Sequence, residues 1–306
     1  MSQRTSWRPR VTNAAAPPAK LLAIGSLVLV MLIWGSTFVV TKSVVAEVPP
    51  LLFALLRFTV ASVLLMIAAQ ATGALAAMPR PLPVGDLALM GLTGVTIYFA
   101  GFNVALVYTS AADGALIQGT IPAVSALAAA AFLRERLGPI RALGIAASIL
   151  GVALVVVVGG GGANAGRGLL GNVLMFGTVI AWAVYSLLGR RLGTAAGLGA
   201  TTYSTLLGTV FLLPAAAYEY ATRPVPPISA EAGLAVLYLG AVASALAFWL
   251  WNRALTVLDV GQTSAFVNLV PFVGVVSAAF VLGEPLTSTH LLGGGLILLG
   301  VVLCLR

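Results

Sequence analysis

Few side chains in this 306-residue chain could do chemistry, and their spacing excludes most kinds of it. His290 is the single histidine and Cys304 the single cysteine. A histidine-based triad and a His/Cys metal site therefore lack their parts, and no disulfide can close within the chain. Residues 166–171 read Gly-Arg-Gly-Leu-Leu-Gly, but a dinucleotide fingerprint needs a preceding strand and a βαβ unit; here it joins two apolar stretches and reads as a loop. No Walker sequence supplies ATP energy, and no cofactor or metal is expected. Arg57 stands apart. It lies seven residues past Pro50 in an apolar run, roughly 10 Å along a helix starting there, at about 1.5 Å per residue. A guanidinium deep in a bilayer costs about 2.5–3.5 kcal/mol unless it snorkels or finds partners. It reads either as an anchor for a solute carboxylate or as a clasp onto carbonyls of neighbouring helices.

Aromatic and amide groups at helical spacing form the second set. Phe99, Phe102 and Asn103 share one helical face, with Tyr98 beside them; Phe248, Trp251 and Asn252 share another, beside Trp249. Trp34, Ser36 and Thr37, with Trp182, Tyr185 and Ser186, make a further candidate lining. Rings and amides together suit a cavity for an amphipathic solute of amino-acid size; the same aromatics could simply pack helices or anchor span ends at the interface. Pro122 and Pro271 each deny an amide to the carbonyl four residues earlier, at Gln118 and Val267. They read as hinges or cavity-wall bends, or as static kinks, with Gln118, Thr120, Thr263, Ser264 and Asn268 offering polar groups nearby.

The elements that position these groups must live in lipid. The chain is 60% hydrophobic and 8% charged, whereas soluble domains carry about 25% charged residues. Thirty-four glycines suit close helix packing in a bilayer. A hydrocarbon core of about 30 Å needs about 20 apolar residues per helix. Ten spans are predicted: 21–45, 51–72, 85–108, 112–133, 138–158, 168–189, 198–219, 231–252, 261–282 and 286–305. Proline and glycine clusters at Pro49-Pro50, Pro79-Pro81-Pro83, Gly138-Pro139, Gly159–Gly162 and Pro224-Pro226-Pro227 separate them. With the N-terminus inside, twelve lysines and arginines fall on the inner side against Lys42, Arg167 and Arg223 outside. Both termini are therefore expected in the cytoplasm. The net charge of +8 is a topology signal, and no nucleic-acid partner is expected.

Sliding the chain by 149 positions aligns Phe99 with Phe248, Asn103 with Asn252, Pro122 with Pro271 and Glu135 with Glu284. The same shift carries Gly144 onto Gly293 and Gly151 onto Gly300, and a shift of 148 places Trp34 on Trp182 and Lys42 on Arg190. Five spans per half is an odd number, so the second copy is expected upside down in the membrane, as in secondary transporters. By that topology Lys42 and Glu284 fall near the outer face, and Glu135 and Arg190 near the inner one. Two cross-repeat ion pairs, Lys42–Glu284 and Glu135–Arg190, are expected to close alternately as gates, or else to be permanent interfacial pairs. A gating pair predicts that reversing both charges at Lys42 and Glu284 rescues the transport lost in either single reversal.

The stretch Trp34-Gly35-Ser36-Thr37-Phe38, then Arg57-Phe58, resembles the first two helices of EamA-type members of the drug/metabolite transporter superfamily. So does the twice-used order of Pro122 or Pro271, Glu135 or Glu284, Gly144 or Gly293, and Gly151 or Gly300. Within that superfamily the chain looks like the ten-helix amino-acid exporters of the YddG type. The resemblance covers residues 21–306 and implies a ten-helix basket around a central cavity, cytoplasmic termini and alternating access. It offers no substrate ligand matching Arg57. The expected fold is an all-α integral membrane protein of ten transmembrane helices in two inverted five-helix repeats. Its divisions are a cytoplasmic tail (1–20), a first repeat (21–160), a linker (161–167) and a second repeat (168–306). The expected function is export of small metabolites, amino acids foremost with broad or aromatic preference, by a monomer in a bacterial inner membrane. A nucleotide-sugar or drug carrier of the same fold is the alternative, and a passive channel or intramembrane enzyme the alternative class. A carrier of nucleotide sugars would want several basic residues facing the cavity, an enzyme would want titratable groups gathered at one depth, and a channel a filter.

Overall fold

The computed structural model describes residues 17–133, 138–158, 165–192, 197–223, 227–254, 257–258 and 266–304. Several helices begin at a proline, serine or glycine. Helix α1 spans Pro17–Val44 and α2 spans Pro50–Ala71, with Pro50 at the first helical position where no amide donor is needed. Helix α3 (Val84–Tyr108) follows the proline-rich turn after Met78. Helix α4 (Ala111–Gln118) is capped by Ser110, whose Oγ accepts the Asp113 amide at 2.9 Å. After a two-residue turn, α5 runs Ile121–Leu133. Then come α6 (Pro139–Val158), α7 (Ala165–Leu192) and α8 (Leu198–Thr222). Residues 166–171, expected as a loop, instead form the start of α7; their glycines do not prevent a helix that tertiary packing supports. Helix α9 (Ala230–Ala254) is capped by Ser229, and α10 (Leu269–Leu282) ends at Gly283, whose φ of 65° needs no Cβ. Helix α11 (Ser288–Cys304) is the last.

Among the described residues there is no strand. Within the described residues seven segments are long and apolar enough to cross a membrane: α1, α2, α3, the α4–α5 pair together, α7, α8 and α9. The other apolar helices, α6, α10 and α11, are shorter. Their outer faces carry exposed phenylalanine and leucine, such as Phe280, Leu143 and Leu291, a surface suited to acyl chains rather than water. The chain is an all-helical, multi-pass membrane protein.

Glycine sets how closely the helices approach. Helices α6 and α11 pack along a seam where a Cβ on Gly151 would lie 2.6 Å from the Gly293 carbonyl, and one on Gly300 would lie 2.6 Å from the Ser148 amide. Helices α3 and α8 touch at Gly91 and Gly208, and α9 meets α2 where Gly240 lies over the Arg57 carbonyl. In lipid, where tails are as apolar as leucine, such backbone contact supplies the association. Among the described residues two helices widen locally to i→i+5 hydrogen bonding: α3 over Leu92–Ile97 and α9 over Tyr238–Leu246. Such bulges redirect the residues that follow them, here Tyr98–Phe102 in one helix and Ala247–Trp251 in the other.

Candidate functional site

One cavity of about 110 Å³, room for several waters or a small solute, lies between α1, α2, α3, the α4–α5 turn, α7, α9 and α10. Helix α1 contributes Trp34, Thr37 and Phe38; α3 contributes Tyr98, Phe99 and Phe102; α7 contributes Trp182; and α9 contributes Ala243 and Phe248. The turn brings Gln118, Gly119, Ile121 and Pro122, and the start of α10 brings Val267, Asn268, Val270 and Pro271. The rings are packed against one another rather than loose. Tyr98 sits 4.8 Å from Trp182 and 4.6 Å from Phe99, while Phe38 meets Phe102 edge-on at 5.2 Å. The polar groups are wired to neighbours. Tyr98 Oη donates to Gln118 Oε1 at 3.2 Å, and Gln118 Nε2 donates to Thr178 Oγ1 at 2.6 Å. Trp34 Nε1 donates to the Ala243 carbonyl at 3.1 Å, tying α1 to the widened turn of α9.

Arg57 lines the same cavity at 3% exposure. Its Nε donates to Ser244 Oγ at 3.1 Å, and its guanidinium carbon stands 4.5 Å from the Phe99 ring centre. Nη1 is buried without a hydrogen-bond partner. In place of the carbonyls that the clasp reading called for, Arg57 meets a single hydroxyl and two aromatic faces, Phe99 and Phe58.

The prolines lie at helix breaks, not within continuous helices. Pro122 is the second residue of α5 and follows the Gly119–Thr120 turn; Pro271 follows the Val267–Asn268 turn. The Val267 carbonyl, expected to be freed, accepts the Val270 amide at 3.0 Å, so the tighter turn satisfies it. The two breaks touch: a Cβ on Gly119 would lie 3.2 Å from Pro271.

A family model described as the EamA-like transporter family matches this chain twice, over residues 21–157 and 169–306. The chain belongs to that family. This EamA-like protein is a transporter and not an enzyme. It is 34% identical over 287 residues, 93% of each chain, to a protein of Streptantibioticus cattleyicolor named as a probable terminal-alkyne amino-acid exporter. It is 30% identical over 285 residues, 89% of this chain and 91% of the other, to a Salmonella typhimurium protein named as a probable amino-acid metabolite efflux pump. A solved crystal structure shares the fold at a TM-score of 0.64 and 22% identity, over 94% of this chain and 96% of that one.

Of the residues singled out from sequence in this EamA-like transporter, Trp34, Thr37, Arg57, Tyr98, Phe102, Gln118, Pro122, Trp182, Asn268 and Pro271 line the cavity. Ser36, Asn103, Tyr185, Trp249 and Asn252 do not. Ser36 Oγ is shared with Tyr238 Oη at 2.7 Å, and Asn103 is buried with Nδ2 on the Pro50 carbonyl at 3.0 Å. Tyr185 stacks behind Trp182 at 4.9 Å, and Trp249 faces a separate, more open groove. Asn252 donates to its own helix at the Phe248 carbonyl, 2.8 Å away. The direct Lys42–Glu284 ion pair is not formed. Lys42 Nζ donates to the Leu106 and Thr109 carbonyls at 2.6 and 2.5 Å, and Glu284 accepts the Ala111 and Ala112 amides at 2.9 Å each. Both side chains satisfy helix-end backbone groups that have no partner within their own helix. Glu135 and the Arg190 side chain lie outside the described residues, as do Thr263 and Ser264.

Three arrangements escaped the sequence reading. His290 Nε2 and Asp113 Oδ1 are 3.1 Å apart. Glu219 accepts the Leu51 and Leu52 amides at 2.7 and 3.0 Å. Glu47 accepts from the Ser229 amide at 2.5 Å and its hydroxyl at 2.8 Å, and these bonds hold its carboxylate below the usual range. Phe38 had a signal, since it lies one helical turn beyond Trp34 on the same face.

Proposed function

We propose that this chain is a secondary transporter that exports small metabolites, amino acids foremost with broad or aromatic preference, by alternating access around the cavity. The observation that carries the reading is the cavity itself. It is walled by aromatic rings, lined by two broken helices, and carries one positive charge among its described lining residues. Rings with few polar groups hold many amphipathic solutes by burial, and the names of both relatives point to amino acids or their metabolites.

Ten transmembrane helices in two inverted repeats complete the proposal, with α4 and α5 counted as one span. Several relations support it. The shift of 149 carries the widened turn Leu92–Ile97 onto residues 241–246, inside the widened turn of α9. Packing pairs exchange between halves: α3 packs on α8 as α9 packs on α2, and α7 packs on α4 and α5 as α1 packs on α10. The family model also matches twice. The cavity is built by one chain, so a monomer suffices. The Lys42 end is closed by the cluster of Phe38, Phe102, Leu106 and Ala111; alternating access requires that end to open in turn. With lysine and arginine inside, that end faces out, both termini are cytoplasmic, and the setting is a bacterial inner membrane.

Purified protein in liposomes preloaded with unlabelled amino acid tests the reading. Saturable counterflow of labelled phenylalanine, leucine or tryptophan is expected. Absence of counterflow for every amino acid under any gradient sinks it, and conductance without saturation favours a pore.

A further inference from the structure

We infer that Arg57 is a carboxylate subsite, so the transported species bears one carboxylate beside an apolar or aromatic body; this rests on the amino-acid reading above and narrows it. The inference starts from an imbalance. A guanidinium carries five N–H donors in a rigid fork and stays charged. Here it has one hydrogen-bond acceptor, Ser244 Oγ, while Nη1 is buried with none. Among the described residues that line the cavity no aspartate or glutamate answers the charge. Buried charges in proteins are ordinarily paired, since an uncompensated one is costly in low dielectric. An unpaired guanidinium on the wall of a solute-sized cavity is the arrangement a carboxylate ligand would complete, through the two-pronged geometry that arginine and carboxylate share.

The surroundings hold Arg57 in place without neutralising it. Ser244 donates onward to the Leu239 carbonyl at 2.9 Å, within the widened turn of α9, and so remains an acceptor toward Nε. Gly240 lets α9 lie against the Arg57 carbonyl, where a Cβ would be 2.8 Å away. Phe99 covers one face of the guanidinium. For an amino acid, the ammonium finds its complement at the C-terminal end of α4, which reaches the cavity at Gln118 and Gly119. Helix C-termini carry partial negative charge, and Pro122 has no N–H to give the Gln118 carbonyl. The side chain then lies among Trp34, Tyr98 and Trp182. With one positive charge on the wall, a second carboxylate would go unanswered, so dicarboxylates are disfavoured.

Trp34 and Trp182 line the cavity, so intrinsic fluorescence of the purified full-length protein reads binding. The ligands are phenylalanine, phenylalaninamide, phenethylamine and 3-phenylpropionate. Phenylalanine is expected to bind the wild-type protein at least about tenfold more tightly than its amide or phenethylamine, because each of these leaves the buried guanidinium unpaired. 3-Phenylpropionate is expected to outbind phenethylamine. In Arg57→Gln the acid-to-amide ratio falls to near unity, and Arg57→Met, which removes an unpaired buried charge, keeps or raises Tm. Equal affinity of acid and amide in the wild-type protein overturns the inference, whether or not either variant folds. So does a folded Arg57→Gln that keeps the preference for the acid, or a wild-type protein that binds none of the four. Counterflow separates this failure from that of the export reading. Transport of phenylalanine and its amide alike defeats the subsite alone; carboxylate-dependent binding without counterflow defeats the export reading alone.

Discussion

Lys42 and Glu284 grip one corner of the chain from its two sides. Lys42 donates to the carbonyls of Leu106 and Thr109 where α3 ends, and Glu284 accepts the amides of Ala111 and Ala112 where α4 begins. A cation on a helix C-terminus and a carboxylate on a helix N-terminus each complement the local dipole. The corner adjoins the buried cluster of Leu106, Ala111 and Ala112 with Phe38 and Phe102, and the last two also line the cavity.

This geometry reverses the expected result of a charge swap. Lys42→Glu would set a carboxylate against carbonyls, and Glu284→Lys would set an ammonium against amides. The double reversal therefore does not rescue counterflow and is at least as impaired as either single change. Glu284→Gln retains part of the function, losing about 1–2 kcal/mol of the charge-assisted bonding. Counterflow rates and Tm for the four variants measure this; restoration by the double reversal would reinstate a direct ion pair.

A second helix-end carboxylate gives a pH dependence. Glu47 is held below the usual carboxylate range first by the Ser229 amide and then by its hydroxyl. A depressed folded pKa means the contribution is fully present above the unfolded value of about 4.3 and is lost as pH falls through the folded value. Wild type is expected to melt above Glu47→Ala at pH 7, with the difference shrinking once pH drops below about 4. A Tm difference that holds constant down to pH 3 would count against the clamp.

Much of this was legible because lipid makes the code simple. Apolar length predicts the helices, and Trp34, Tyr98, Gln118 and Trp182, which the sequence offers as lining candidates, share one cavity. The losses have physical causes. Asn103 and Asn252 align in the repeat, yet one donates across to Pro50 and the other to its own helix, because a buried amide takes whichever acceptor is in reach. Glu47, Glu219 and Glu284 each satisfy the N-terminus of another helix, whereas the repeat pairs Glu284 with Lys42 and says nothing of the other two. Which charge meets which helix end depends on tertiary placement, and no local pattern in one chain encodes it. The widened turns in α3 and α9 were equally hidden, since their residues suit an ordinary helix.

The α6–α11 seam predicts where added volume unfolds the protein. Gly151→Val and Gly300→Val place side-chain atoms where backbone already stands, at 2.6 Å from the Gly293 carbonyl and the Ser148 amide respectively for the first carbon alone. Overpacking of this kind costs about 1–3 kcal/mol or more, so both variants lose Tm and monodispersity. Gly25→Ala and Gly295→Ala meet nothing within 4 Å and serve as controls that melt like wild type. Equal behaviour of seam and control variants in a detergent melt would mean that α6 and α11 do not pack this way.

The contact between the two helix breaks predicts a rate defect separable from folding. Gly119 sits in the α4–α5 turn with Pro271 of α10 close by, and a Cβ there would lie 3.2 Å from the proline ring and 3.0 Å from the Leu116 carbonyl. A methyl group at those distances asks its neighbours to yield by a few tenths of an ångström, which a turn can absorb. If the breaks move past one another as access alternates, the same methyl rubs on every cycle. Gly119→Ala is expected to keep the wild-type Tm within a few degrees and to slow counterflow several-fold, a barrier increase of about 1 kcal/mol. Gly119→Val, with two further methyl groups facing a rigid ring, is expected to exchange phenylalanine at least about a hundredfold more slowly, roughly 2.7 kcal/mol. Because Gly119 also lines the cavity, the comparison is made at saturating phenylalanine, where a weakened affinity alone would not lower the rate. A Gly119→Val variant that exchanges at the wild-type rate would show that the turn stays fixed while other parts of the helices move.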